Sequence, residues 1–228
     1  NIGSQISVLA EALGMQVLYF DTEEKLALGN AQKVTSLKNL LKRADVVTLH
    51  VDGNPDNKNL IGKKELGWMK QGSILINLSR GDVVDLDELK TALQNGHLGS
   101  AAIDVFPDEP KSNDEQFTNP LTGMDNVILT PHIGGSTMEA QENIAAYVPE
   151  ALVNYINTGD SFSSVNLPAI RVPEMKGAHR LLHIHNNIPG IMARINNIFS
   201  RFNINVVGQH LQTNKDIGYL ITDIDKQY

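Results

Sequence analysis

Cysteine is missing from all 228 residues. That excludes a disulfide framework, a thiolate metal site and a cysteine nucleophile. No apolar run approaches the roughly 20 residues that a membrane span needs, so no membrane partner is expected. Basic residues are outnumbered, 19 against 26, for a net charge of −7. A general polyanion-binding surface needs clustered Lys and Arg, so no nucleic-acid partner is expected. Other devices are incomplete. His183 and His185 share a strand face, but no third ligand follows at metal-site spacing, so no metal is expected. Ser161 has no G-x-S-x-G elbow around it. No signal peptide is recognisable, and a cytoplasmic location is the expectation.

What is present is a globular composition. Hydrophobic residues make up 41% and charged ones 20%, enough for the core of one large or two small domains. Ile6, Leu9, Ala10 and Leu13 form one helical stripe, ended by Gly14. A strand at 16–21 follows and closes on Asp21. A helix opening at Gly3, then a strand, then an acid is the back half of a dinucleotide fingerprint. Its first two glycines would precede residue 1, so the sequence reads as a piece of a longer chain. Helix and strand patterns then alternate: helices at 36–44, 63–69 and 85–96, strands at 45–50, 73–79, 100–106 and 126–131. Asp85 and Glu88 have capping-box spacing. The strands are continuous apolar runs, as in parallel sheets covered on both faces. The expected class is therefore α/β, a doubly wound parallel (Rossmann-type) sheet incomplete at its N-terminus.

After His132 the pattern changes. Ser136 and Glu139 form a second capping box ahead of a long helix, which Pro149 should kink or interrupt and Gly159 should end. Residues 162–177 carry two prolines and no period, which reads as a linker. A strand at 180–185, a helix to 202 with Pro189 in its first turn, and strands at 203–213 and 218–225 complete a β-α-β-β order. A ferredoxin-like fold needs one more helix and strand, so this end also reads as truncated. The expected division is 1–135 nucleotide-binding, 136–160 long helix, 161–178 linker and 179–228 a second small domain.

In a doubly wound sheet, ligands bind at the carboxyl ends of the strands. Those ends deliver Arg80, Glu109 and His132 to one edge. An Arg fork suits a carboxylate. A His can take a proton from a hydroxyl and return it. A carboxylate beside that His raises its pKa and fixes its tautomer. Opposite a nicotinamide, the set would oxidise a 2-hydroxy acid. Singly, each has a plainer reading: Arg80 as a surface ion pair, Glu109 as a solvated loop acid, His132 bonded to a backbone carbonyl, Asp21 as a turn residue. His50 ends another strand and approaches the same crevice in this reading. Asp104 lies inside an apolar strand and needs a partner, either the cofactor or a core hydrogen bond. Nothing is assigned to His97 or His179.

Three motifs, NLSRGDVVD, AAIDVFPDEP and NVILTPHIGGST, resemble the D-isomer-specific 2-hydroxyacid dehydrogenases over about residues 1–160. The stretch HRLLHIHNNIPGIMARINNIFSRFNINVV resembles an ACT domain, an effector-binding module. The resemblance implies NAD as cofactor and Arg80, Glu109 and His132 as the catalytic set. It places Asn1, Ile2 and Gly3 at the pyrophosphate and Asp21 on the adenosine ribose. His50, Leu78, Ser79, Arg80, Asp104, His132, Gly134 and Gly135 would line the cofactor. The pairing with an ACT module implies oxidation of 3-phosphoglycerate to 3-phosphohydroxypyruvate, the entry to serine synthesis. It also implies L-serine as feedback effector at His185, Asn187 and Asn205 across a subunit interface, in a homotetramer. Asp52 departs from the family, which usually has Pro there. The alternatives are a glyoxylate, hydroxypyruvate or lactate dehydrogenase, and a non-catalytic NAD-sensing protein of corepressor type. The ACT-like segment counts against both.

Overall fold

The computed structural model describes residues 2–22, 24–110, 112, 114–115, 117–162 and 164–225. The chain divides into two compact units, Asn1–Thr137 and Met138–Tyr228.

The first unit runs α1 (Ile2–Ala12), β1 (Leu18–Tyr19), β2 (Gln32–Lys33), α2 (Leu37–Arg43), β3 (Val46–Leu49), α3 (Lys63–Leu66), β4 (Ser73–Asn77), α4 (Leu86–Gln94), β5 (Leu98–Ile103) and β6 (Val127–Leu129). Strands β3, β4, β5 and β6 lie side by side in that order, all parallel. Their apolar runs bury Leu75, Leu98 and Ile103 against Leu41 of α2, Leu66 of α3 and Leu89 of α4. Burial alternates along β3 and β4, with Val47 and Leu49 buried but Val46 40% exposed, and Ile128 of β6 is 67% exposed, so the helices cover one face of the sheet where the continuous apolar runs led to the expectation of two. Ser36 caps α2 by accepting the Asn39 amide at 3.2 Å. Asp85 caps α4 by accepting the Asp87 and Glu88 amides. Only half of the expected capping box forms there, because the Asp85 amide donates to Ile61 O instead.

Two expectations for this unit change. The strand at 16–21 contracts to Leu18–Tyr19, because its one partner is the two-residue β2, too short to register as a pattern. The stripe on α1 is exposed, with Leu9 at 60% and Leu13 at 77%.

The second unit runs α5 (Met138–Thr158), β7 (His179–Asn186), α6 (Ile191–Arg201), β8 (Val206–Thr213) and β9 (Ile217–Ile224). The sheet is antiparallel in the order β7-β9-β8, so the last strand is central and the most buried. This is the β-α-β-β half of a ferredoxin-like fold. Helix α5 is not interrupted at Pro149, which costs it one backbone bond but not its continuity. Pro189 precedes α6 rather than entering it, and Gly190, with φ +87, occupies the cap.

The described residues between α5 and β7 form no helix or strand, yet the stretch is docked. Ile170 and Val172 are buried with Tyr219 and Ile221 of β9. Buried Ser161 pins its neck, donating to Pro168 O at 2.7 Å and accepting the Ile170 amide at 3.0 Å. Arg180 then ties the parts together. Its Nε and Nη2 meet Asp223 Oδ1 and Oδ2 at 2.6 and 2.8 Å, and Nη1 donates to Thr158 O and Pro173 O at 2.8 and 2.9 Å. The Asp223 hydrogen bonds hold the guanidinium above its ordinary pKa, against the opposing pull of burial. Tyr219 donates to Gly159 O at 2.7 Å, and burial raises its phenol pKa. Gly159 ends α5 at φ +74, where a Cβ would stand 2.5 Å from Leu182.

A buried pair that loses one partner leaves an uncompensated charge. Asp223→Ala should therefore destabilise the second unit by roughly 3–5 kcal/mol. Urea denaturation followed by circular dichroism checks this; a midpoint equal to wild type would show that the pair carries no net stability.

Candidate active site

The carboxyl ends of β4, β5 and β6 bring Arg80, Glu109 and His132 to one cavity of about 490 Å³. Each arrives for a local reason. Asn77, fully buried at the end of β4, accepts the Ser79 amide and hydroxyl through Oδ1 at 3.1 and 2.8 Å. Its Nδ2 donates to Arg80 O at 2.9 Å. This folds the chain tightly; the Arg80 stem lies 3.5–3.6 Å from where a Cβ on Gly53 would be, and its Nη1 donates to Ser79 O at 2.6 Å. Gly81 comes next. A Cβ there would stand 2.0 Å from the Phe106 carbonyl carbon and 2.5 Å from Pro107 N, so only glycine lets the two loops touch.

On the second loop, Glu109 uses both oxygens. Oε1 accepts the Phe106 amide at 2.9 Å and Oε2 meets His132 Nδ1 at 2.7 Å. Burial pushes the Glu109 carboxyl up, but the bonds from His132 and Phe106 outweigh it and the net shift is downward. The group is thus an acceptor at neutral pH, and Nδ1 must carry the proton between them. Nε2 is left as the nitrogen that can take a proton from a ligand. The His132 side chain is 45% exposed, so that nitrogen is reachable.

His132 itself has a left-handed backbone, φ +51, which a non-glycine residue adopts only when its neighbours enforce it. Asp104 enforces it. Its Oδ1 accepts the Thr130 hydroxyl at 2.5 Å and the Ile133 amide at 3.1 Å, and Oδ2 accepts the Gly134 amide at 3.4 Å. Ser136, expected as a helix cap, instead donates its hydroxyl to His132 O at 3.1 Å. The three hydrogen bonds at Asp104 give its carboxylate the partners that a buried charge needs. Burial pushes this carboxyl up as well, and the three donors bring it down below its usual range.

The remaining residues assigned to the cofactor also lie in the first unit, apart from Asn1, which is outside the described residues. Gly3 opens α1 against His50, with 3.5 Å between a Cβ there and the His50 ring. His50 Nε2 pairs with Thr48 Oγ1 at 3.1 Å. Asp21 follows β1 and is half-buried. Leu78 is 53% exposed, and a Cβ on Gly135 would meet nothing within 4 Å. An apolar platform, open glycines, and a helix start whose first amides lack intrahelical partners suit a nicotinamide dinucleotide. Those amides would hold its pyrophosphate, Asp21 its ribose hydroxyls and Leu78 a ring face. Asn77 and Gly81 were not singled out in the sequence. Asn77 shares the signal that marked Asp104, a polar residue in an apolar strand.

The second unit does not gather its three effector candidates within one chain. His185 faces Gly218, and Asn187 donates to Asn214 O at 2.7 Å, both at one end of the sheet. Asn205 bonds Asp225 at the other end, at 3.0 Å, beside a cavity of about 440 Å³. His185 Nε2 is buried and lacks a partner among the described residues.

The profile of the D-isomer specific 2-hydroxyacid dehydrogenase NAD binding domain matches residues 1–134. That of an AHAS small subunit-like ACT domain matches 181–228. D-3-phosphoglycerate dehydrogenase of Haemophilus influenzae is 53% identical over 99% of this chain and 55% of its own length. The Dictyostelium discoideum protein of the same name is 49% identical over 100% of this chain and 55% of its own. The chain thus spans about half the length of the curated relatives it matches. Among solved structures, D-lactate dehydrogenase from Aquifex aeolicus, complexed with NAD and lactic acid, is 33% identical with a TM-score of 0.59. It covers 68% of this chain and 50% of its own.

Two outcomes are expected. Because the folded Asp104 pKa lies below its ordinary 3.8, the ionised group stabilises the first unit at neutral pH. That contribution drains away only as the pH falls below about 4. Asp104→Asn should flatten the acid limb of stability against pH, read as urea midpoints from neutral to about pH 3; an unchanged limb would contradict the assignment. Gly81→Ala should cost roughly 1–3 kcal/mol by forcing the two loops apart, and a wild-type urea midpoint would show that the loops yield freely.

Proposed function

The chain belongs to the D-isomer specific 2-hydroxyacid dehydrogenases through its NAD-binding domain, and we propose that its protein oxidises 3-phosphoglycerate to 3-phosphohydroxypyruvate. This is the first step of L-serine synthesis. The relatives named D-3-phosphoglycerate dehydrogenase and the ACT-type second unit support the substrate. The observation that carries the chemistry is the 2.7 Å Glu109–His132 contact facing the cavity that Arg80 also lines.

In this reading Arg80 grips the substrate carboxylate with its planar fork. The 2-hydroxyl donates to His132 Nε2. As the C2–O bond becomes a carbonyl, the hydroxyl proton moves to Nε2 and the C2 hydrogen leaves with its electron pair. Bound NAD supplies the acceptor for that hydride. The imidazolium that forms is held by the Glu109 carboxylate at Nδ1, which also prevents the ring from turning. In the reverse direction Nε2 returns the proton. Asp104 keeps His132 at its backbone angle throughout.

We further propose L-serine as the effector of the second unit. His185 and Asn187 of one copy would face Asn205 of another, since the two groups occupy opposite ends of each sheet. We also propose a homotetramer located in the cytoplasm. Among the described residues no helix is long and apolar enough to cross a membrane.

The full-length protein assayed with NAD and 3-phosphoglycerate tests the proposal, with turnover suppressed by L-serine as the expected result. NAD binding without turnover of any 2-hydroxy acid would replace it with a non-catalytic binding protein. His132→Ala should lower kcat by about 10²–10⁴-fold while NAD affinity, measured by calorimetry, holds; wild-type turnover would remove the proton-transfer role. Asp21→Ala should weaken NAD binding more than NADP binding, and equal loss of both would remove the ribose contact.

A further inference from the structure

A second cation faces the cavity that holds Arg80. After β3 the chain makes a 3₁₀ turn, Pro55–Asn57, capped by Asn54, whose Oδ1 accepts the Asp56 amide at 3.0 Å. Asn57 Nδ2 ties the turn back to Asp52 Oδ1 at 2.7 Å. Lys58 closes the turn through its amide to Pro55 O at 3.2 Å. The next residues are fastened to the loop that carries Arg80: Asn59 N donates to Asp82 O at 2.7 Å and Ile61 N to Val83 O at 3.0 Å. The Lys58 and Arg80 backbones are therefore held in fixed relation, and both residues line the 490 Å³ cavity.

Lys58 forms none of the ion pairs found among the described residues, unlike Lys33, Lys63 and Lys70. Two carboxylates share the cavity. Glu109 is committed to His132 and the Phe106 amide. Asp82 lies beside Arg80 and opposes any anion that enters. One cation is accounted for by a substrate carboxylate, which leaves one cation without a counter-charge.

We infer that Lys58 determines substrate specificity, receiving the second anionic group of a doubly anionic 2-hydroxy acid whose carboxylate Arg80 holds. The inference rests on the dehydrogenase reading of this cavity. A lysine ammonium is a compact point charge with three donors, suited to a phosphate rather than to the fork geometry of a carboxylate. Without such a group it remains hydrated at the cavity mouth, so its attraction is realised only with the phosphorylated acid.

The test uses the full-length protein and compares kcat/KM for 3-phosphoglycerate with kcat/KM for D-glycerate. Lys58→Gln should lower that ratio about tenfold, the factor that about 1.4 kcal/mol of lost binding corresponds to. Lys58→Arg should restore most of it, and Asp82→Asn should raise it. An active wild type whose ratio is unmoved by Lys58→Gln overturns the inference and leaves the dehydrogenase reading standing. A wild type that turns over neither acid overturns both.

Discussion

One buried carboxylate governs the geometry of the site. Asp104, 3% exposed, gathers a hydroxyl and two backbone amides from the turn after β6. An ionised group in that position is tolerable only because its oxygens are answered. In being answered it locks Ile133 and Gly134, and so leaves His132 no freedom to relax from its left-handed angle. The imidazole then projects toward Glu109, whose second oxygen is fastened to the loop that Gly81 allows to come close. Strain at one residue is thus held by hydrogen bonds at others, a common arrangement where a side chain must be aimed.

The parts legible in the sequence are those that repeat or that conflict with their surroundings. Continuous apolar runs marked β3 to β6, helical patterns marked α2 and α6, and capping-box spacing marked the start of α4. Glu109 and His132 were visible because strand ends in such a sheet converge. Other parts have no such mark. The two-residue β2 is shorter than any period, and Pro149 sits inside a helix that continues past it. Gly81 is one glycine among 18, and its need arises from a backbone 25 residues away in sequence, at Phe106. The stretch at 162–177 has linker composition, yet Ile170 and Val172 are buried by a strand nearly fifty residues later, which local pattern cannot reveal. The family resemblance added roles but no contacts. It named Asp104 as lining the cofactor, whereas the structure adds its work on the backbone.

The second unit shows a different economy. Its sheet places His185 and Asn205 at opposite ends, so the two do not meet within one copy. His185 Nε2 is buried without a hydrogen-bond partner among the described residues, a costly position for a polar atom.

The Arg180 guanidinium holds carbonyls on both sides of an irregular excursion, Thr158 before it and Pro173 after it, while Ser161 pinches the neck against Pro168 and Ile170. Between the pinch points, Arg171 lies over the Phe162 ring at 3.7 Å, so the base of the excursion is closed by side chains as well as by backbone bonds. Val165, 87% exposed within the excursion, marks where a peptide tag or a fluorophore could be spliced in while the helix and the sheet keep their grip on each other.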